Sequence, residues 1–129
     1  MRIPPGVPES EFATAIAQFE AAVGKQWVFT SDDDLNLYRD AYSPLFGEPE
    51  ERIASGAVAP DSVEQVQQVV KIANAHKIPI YPIATGRNLG YGGSAPAYSG
   101  SVVLDLKRMN RILEVDERNA SCLVEPGVS

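Results

Sequence analysis

Apolar positions recur at helical spacing early in the chain. Phe12, Ile16, Phe19 and Val23 fall on one face, with Ser10 before the pattern and Gly24 as its stop. The spacing predicts a helix packed through that stripe. A second stripe, Val66, Val69, Val70 and Ala73, predicts a helix running to Ala75. Ser62 and Gln65 stand before it at capping-box spacing. His76 and Lys77 at its end suit the negative pole of the helix dipole, so His76 has a structural reason to be there. Between these helices, Trp27-Val28-Phe29 reads as a short strand or anchor. Ser31 followed by Asp32-Asp33-Asp34 reads as a capped helix start, with Leu35, Leu37 and Tyr38 on its apolar side. The consecutive aspartates lack the alternate spacing of a calcium loop.

Strand signals fill the remainder. Ala54–Ala59 is a short strand ending at Pro60, and Ile78–Ala84 is a second. Strand, helix and strand together make a βαβ unit. Ser101–Leu106 reads as a buried strand, and Arg111–Asp116 and Ala120–Val124 read as a hairpin. Cys122 falls in its second arm, where a small core residue is expected. Residues 1–9 are proline-rich and read as extended, and residues 39–52 read as irregular. The pattern predicts an α+β fold in two parts. Residues 1–52 form a helical arm with an irregular segment, and the βαβ unit and the later strands follow from residue 53.

Composition narrows the function. The chain has 129 residues, 44% of them hydrophobic and 22% charged, which is ordinary globular composition. A net charge of −6 disfavours a nucleic-acid partner, since phosphate neutralisation needs a basic face. No apolar run is long enough for a membrane helix. Met1–Pro8 has no apolar core of a secretory signal, which makes cytoplasm the default compartment. With one cysteine and one histidine, neither a disulfide nor a Cys/His metal centre is expected. Lys107, Arg108 and Arg111 form a small basic cluster, read as a solvated strand corner.

The candidate chemistry lies after the second strand. Thr85-Gly86-Arg87-Asn88-Leu89-Gly90-Tyr91-Gly92-Gly93 places four glycines within eight residues. Glycines let a backbone turn sharply or let a ligand approach closely, and successive N–H groups in such a loop form an anion site. The spacing fits neither the Walker loop nor the dinucleotide fingerprint. A glycine-rich surface turn stands as the alternative. The loop leaves the carboxyl end of its strand, where α/β sheets bind ligands.

Ala84–Pro96 resembles the pyrophosphate loop of the vanillyl-alcohol oxidase/p-cresol methylhydroxylase flavoprotein family. The likeness is greatest to its subgroup acting on para-alkylphenols, which holds 4-cresol dehydrogenase, vanillyl-alcohol oxidase and eugenol oxidase. Val58-Ala59-Pro60, Ser101–Leu106, Met109–Val115 and Val124–Val128 match further, in the family's order. The resemblance implies that residues 53–129 are the first part of a PCMH-type FAD-binding domain, incomplete at Ser129. It implies FAD as cofactor, held by Thr85, Gly86, Arg87, Asn88, Leu89, Gly90 and Gly92, with Pro126 and Gly127 as a second strand-end segment near it. It assigns Tyr91, in Gly90-Tyr91-Gly92, to the substrate's phenolic oxygen. Stabilising the phenolate would favour hydride loss from the para benzylic carbon to flavin N5, through a quinone methide.

The other active-site groups of the family are expected beyond Ser129, so this segment alone is expected to be inactive and to be a piece of a longer chain. Some family members carry a histidine in the region of residues 39–52 that assists covalent flavin attachment. Here Tyr42 or Ser43 stands nearby instead, which argues against a histidyl bond and is compatible with a tyrosyl bond or with non-covalent FAD. Oxygen or a cytochrome c subunit is the implied electron acceptor, a homo-oligomer the implied full-length assembly, and the periplasm the compartment of cytochrome-linked relatives. Two alternatives stand beside this: an FAD-linked oxidase of a 2-hydroxy acid, and a non-catalytic flavin-binding module of this length.

Overall fold

The computed structural model describes residues 2–86 and 93–129. In chain order the elements are α1 (Glu9–Val23), a 3₁₀ turn (Lys25–Trp27), β1 (Val28–Phe29), α2 (Asp32–Asn36), β2 (Gly56–Val58), α3 (Val63–Ala75), β3 (Ile80–Ile83), β4 (Val102–Asp105), β5 (Ile112–Asp116) and β6 (Ser121–Val124). One sheet has the order β1-β2-β4-β3 and a separate hairpin pairs β5 with β6. β1 runs antiparallel to β2, while β4 runs parallel to both β2 and β3. The strands flanking α3 are therefore not neighbours. β4 enters between them and is buried along its whole length, which explains its unbroken Val102-Val103-Leu104 run.

α1 starts at Glu9 behind Pro8, one residue before the serine that the pattern marks. Gly24 ends it at φ 96°, with its N–H on the Glu20 carbonyl. The Ser62 hydroxyl accepts the Gln65 N–H at 3.3 Å, as the capping pattern predicts. The Gln65 side chain reaches back to the Asp61 N–H at 2.9 Å, one residue earlier than in a standard capping box. His76 caps α3 and binds α1 with both ring nitrogens, to Glu11 at 2.5 Å and to Gln18 at 3.0 Å.

Strand alternation sorts the core onto two faces. Phe12, Phe19 and Val23 of α1 pack with Val69 and Ala73 of α3 against Val58, Val102 and Leu104. On the other face Leu35 and Tyr38 pack with Ala57 and Val103. Burying a large apolar side chain contributes roughly 1.5–3 kcal/mol, so both faces matter to stability.

Two sequence expectations change here. Leu37 is 79% exposed and does not join the apolar side of α2. α2 has only five residues, and the buried positions are Leu35 and Tyr38, one helical step apart. Cys122 is exposed, not a core residue. Both arms of its hairpin are exposed, so no second layer covers it among the described residues. Among those residues no helix is long and apolar enough to cross a membrane.

Candidate flavin cleft at the carboxyl ends of the parallel strands

β3 and β4 end side by side at Ile83 and Asp105. A cavity of about 460 Å³ opens at these ends, within the usual range of small-molecule sites, roughly 300–1,000 Å³. Thr85 and Gly86 line it from the segment after β3, and Gly127 and Ser129 line it from the segment after β6. The structure thus brings together two segments, around Gly86 and around Gly127, that the resemblance connects to one ligand. Gly86 has φ 71°, where an L side chain is strained, and a Cβ there would lie 3.1 Å from Cβ of Ser94.

Gly127 is held differently. A Cβ at this position would meet the carbonyl oxygens of Leu106, Lys107 and Met109 at 2.5, 2.7 and 2.8 Å. Only glycine fits, because those atoms are backbone. Its N–H donates to the Met109 carbonyl at 2.8 Å, fastening the end of the hairpin to the β4–β5 corner. Arg111 and Glu125 secure the same corner. Nη2 and Nε of Arg111 donate to the Glu125 carboxylate at 2.6 and 3.0 Å, and the Arg111 N–H adds a third bond at 2.9 Å. The Arg111 hydrogen bonds hold the Glu125 carboxyl below its ordinary range. Pro126 is exposed and does not line the cavity.

Arg87, Asn88, Leu89, Gly90, Tyr91 and Gly92 lie outside the described residues. The chain is described again at Gly93, which is buried against Asp40, and at Ser94, whose hydroxyl donates to the Arg39 carbonyl at 3.4 Å. Arg39 is itself anchored by a two-pronged bond to Glu51, at 2.7 and 2.6 Å, and lies 4.3 Å over the Phe46 ring. The irregular segment 39–52 is thus tied down by one ion pair, and the far end of the glycine loop rests on it.

The cleft floor holds groups that the sequence does not mark as site residues, Tyr38 being expected as helix packing and Lys107 as a solvated corner. Tyr38, Asp105, Lys107 and Asn110 all line the cavity. Asp105 is 3% exposed. Its Oδ2 accepts the Tyr38 hydroxyl at 2.9 Å and faces the Lys107 ammonium at 3.0 Å, and its Oδ1 accepts the Lys107 N–H at 3.0 Å. Burial, and then the Asp105 charge, push the Tyr38 phenol far above its ordinary range, so it stays a donor. A signal for this cluster existed: an aspartate ending a wholly apolar strand must find donors if buried. The identity of its partner, on an element 67 residues away, was not readable.

The other basic residues of the corner are satisfied. The Arg108 guanidinium stacks 3.9 Å over Trp27 and donates to the Ala59 carbonyl at 2.8 Å, and Arg111 is taken by Glu125. Backbone and hydroxyl donors, two constrained glycines and one ammonium at the ends of parallel strands fit a dinucleotide's pyrophosphate, which needs close backbone approach and little bulk.

Comparison with known proteins agrees. A family model described as an FAD binding domain matches residues 54–129. The chain is 46% identical over 127 residues to the 4-cresol dehydrogenase [hydroxylating] flavoprotein subunit of Pseudomonas putida, covering 98% of this chain and 24% of that protein. It is 36% identical over 96 residues to glycolate oxidase subunit GlcD of Bacillus subtilis, covering 74% of this chain and 20% of that one. A crystal structure of p-cresol methylhydroxylase with substrate bound superposes on all of this chain and 25% of its own with a TM-score of 0.93 at 46% identity. The chain spans about a quarter or less of the length of these relatives. With a cleft that suits the cofactor and a family match over residues 54–129, this chain belongs to the FAD binding domain family, has the PCMH-type α+β fold and takes FAD as its cofactor.

Proposed function

We propose that the protein carrying this chain is an FAD-dependent oxidoreductase that oxidises para-alkylphenols at the benzylic carbon. The observation that carries the reading is the 46% identity to a cresol-oxidising flavoprotein subunit over 98% of the chain. The cavity lined by Thr85, Gly86 and Gly127 supports the reading.

In this reading the Thr85 hydroxyl and the backbone around Gly86 bind the cofactor's pyrophosphate, and Gly127 keeps the opposite wall free of side-chain bulk. Arg87, Asn88, Leu89, Gly90 and Gly92 continue the loop, and Pro126 shapes its partner segment. FAD, when bound, supplies a hydride acceptor. Tyr91 donates its hydroxyl to the substrate's phenolic oxygen and stabilises the phenolate. Loss of hydride from the para benzylic carbon then leaves a quinone methide, which water traps as an alcohol. Electrons pass on to oxygen or to a cytochrome c subunit, and the full-length protein is a homo-oligomer. Residues 1–52 serve as an arm whose α1 and β1 pack into the core and sheet of the cofactor domain that begins at residue 53.

The test is a visible spectrum of the full-length protein, followed by anaerobic addition of 4-methylphenol. Flavin bands that bleach on addition are expected. Bleaching by glycolate but not by 4-methylphenol would replace the phenol assignment with a 2-hydroxy acid. Flavin bands that neither compound bleaches would overturn both substrate classes.

A further inference from the structure

Most charged side chains near the cleft are already committed. Arg39 is bound to Glu51, Arg108 to Ala59 and Asp61, and Arg111 to Glu125. Lys107 differs. Among the described residues that line the cavity it is the one cation, and its side chain is 48% exposed. Its partner Asp105 does not depend on it alone. The Tyr38 hydroxyl and the Lys107 backbone N–H supply that carboxylate with two further donors, at 2.9 and 3.0 Å. The ammonium also lies 5.3 Å from the Phe29 ring centroid and 5.8 Å from that of Tyr38, so it faces an aromatic wall. A flexible ammonium with three donors can keep one bond to Asp105 and turn the others into the cavity.

A dinucleotide brings two negative charges to this cleft, and the chain carries a net charge of −6. The neutral lining groups Thr85, Ser94 and Asn110 offer hydrogen bonds but no charge. We propose that Lys107 is a cofactor-binding residue whose ammonium is shared between Asp105 and the pyrophosphate of FAD. Asp105 and Tyr38 act as positioning residues that aim it. The inference rests on the cofactor reading and adds, among the described residues of the cavity, one that supplies charge.

The experiment is ligand titration of the full-length protein freed of flavin, as wild type, Lys107→Met and Lys107→Arg. Three probes are compared: FAD, ADP (diphosphate without the flavin ring) and riboflavin (the ring without phosphate). Lys107→Met is expected to weaken FAD and ADP by about ten- to a hundredfold, the loss of one charge-assisted hydrogen bond. Riboflavin binding should not change. Lys107→Arg should recover most of the affinity, and Lys107→Met should flatten the salt dependence of ADP binding. Equal weakening of all three probes would mean that Lys107 only shapes the wall, and would overturn the assignment. Wild-type affinity for FAD and ADP in Lys107→Met would overturn it too. A wild-type protein that binds none of the probes would instead sink the cofactor reading itself, and the inference with it.

Discussion

The Tyr38 hydroxyl donates a 2.9 Å hydrogen bond to Oδ2 of Asp105 in a buried setting, joining the segment after α2 to the end of the central strand β4. That bond decides what the cleft floor is made of. Asp105 shares its side of β4 with Val103, the face that Leu35 and Tyr38 cover. The carboxylate therefore points toward the α2 side, where Tyr38 lies, instead of toward α1 and α3.

Substituting either partner should separate a lost bond from an orphaned group. Tyr38→Phe removes one donor from a carboxylate that keeps two and should cost about 1–2 kcal/mol. Asp105→Ala leaves a buried hydroxyl and a lysine without their acceptor and should cost about 2–4 kcal/mol. Urea denaturation of the purified protein measures both. Equal midpoints for Tyr38→Phe and wild type would mean that the bond contributes nothing net.

Glycine substitutions should sort the two walls of the cleft. Gly86→Val places a β-branched residue at φ 71° and should cost about 1–3 kcal/mol with loss of FAD binding. Gly127→Ala drives a methyl group into three backbone oxygens that cannot rotate away, and overpacking of this kind costs about 1–3 kcal/mol or more. Thermal unfolding and flavin content after gel filtration check both. A Gly127→Ala protein with wild-type stability would contradict the packing of the corner.

Acid should release the brace under the glycine loop. The Arg39 hydrogen bond, with help from the Gly47 N–H, lowers the Glu51 carboxyl to about 2 from an ordinary value of 4.5. The unfolded chain therefore takes up this proton first as pH falls. The stabilisation is fully present above about pH 4.5, declines as pH falls, and is gone below about pH 2. Glu125, lowered by Arg111, acts in the same direction at the opposite wall. Glu51→Gln should be less stable at neutral pH and should show a flatter acid limb. Stability curves measured from pH 7 to pH 2 provide the comparison, and parallel limbs would rule out a linked Glu51.

Tyr91→Phe tests the proposed substrate contact. In the full-length protein it should lower turnover of para-alkylphenols by about ten- to a hundredfold, the loss of a hydrogen bond to a charged oxygen, while flavin content stays unchanged. Steady-state kinetics beside a flavin spectrum make the distinction. Loss of FAD with unchanged phenol kinetics would assign Tyr91 to the loop and not to the substrate.

Periodicity and local chemistry by themselves determined much of this protein. The stripe through Phe12, Phe19 and Val23, the Ser31 and Ser62 caps, the buried Val102–Leu104 run and the β5–β6 hairpin all follow from side-chain spacing and nearby hydrogen bonds. The order of motifs from Val58 to Val128 likewise carried the resemblance to the family. Only the tertiary structure decided which strand lies beside which. β4 sits between β2 and β3, and that single choice brings Thr85, Gly86, Asp105 and Gly127 around one cavity. The tertiary structure also settled the fates of Leu37 and Cys122, both apolar in pattern and both exposed. Burial is a property of what packs on a residue, not of the residue. The Tyr38–Asp105–Lys107 cluster shows the same limit: a buried carboxylate must have partners, but contacts 67 residues apart in sequence arise only when the chain is folded.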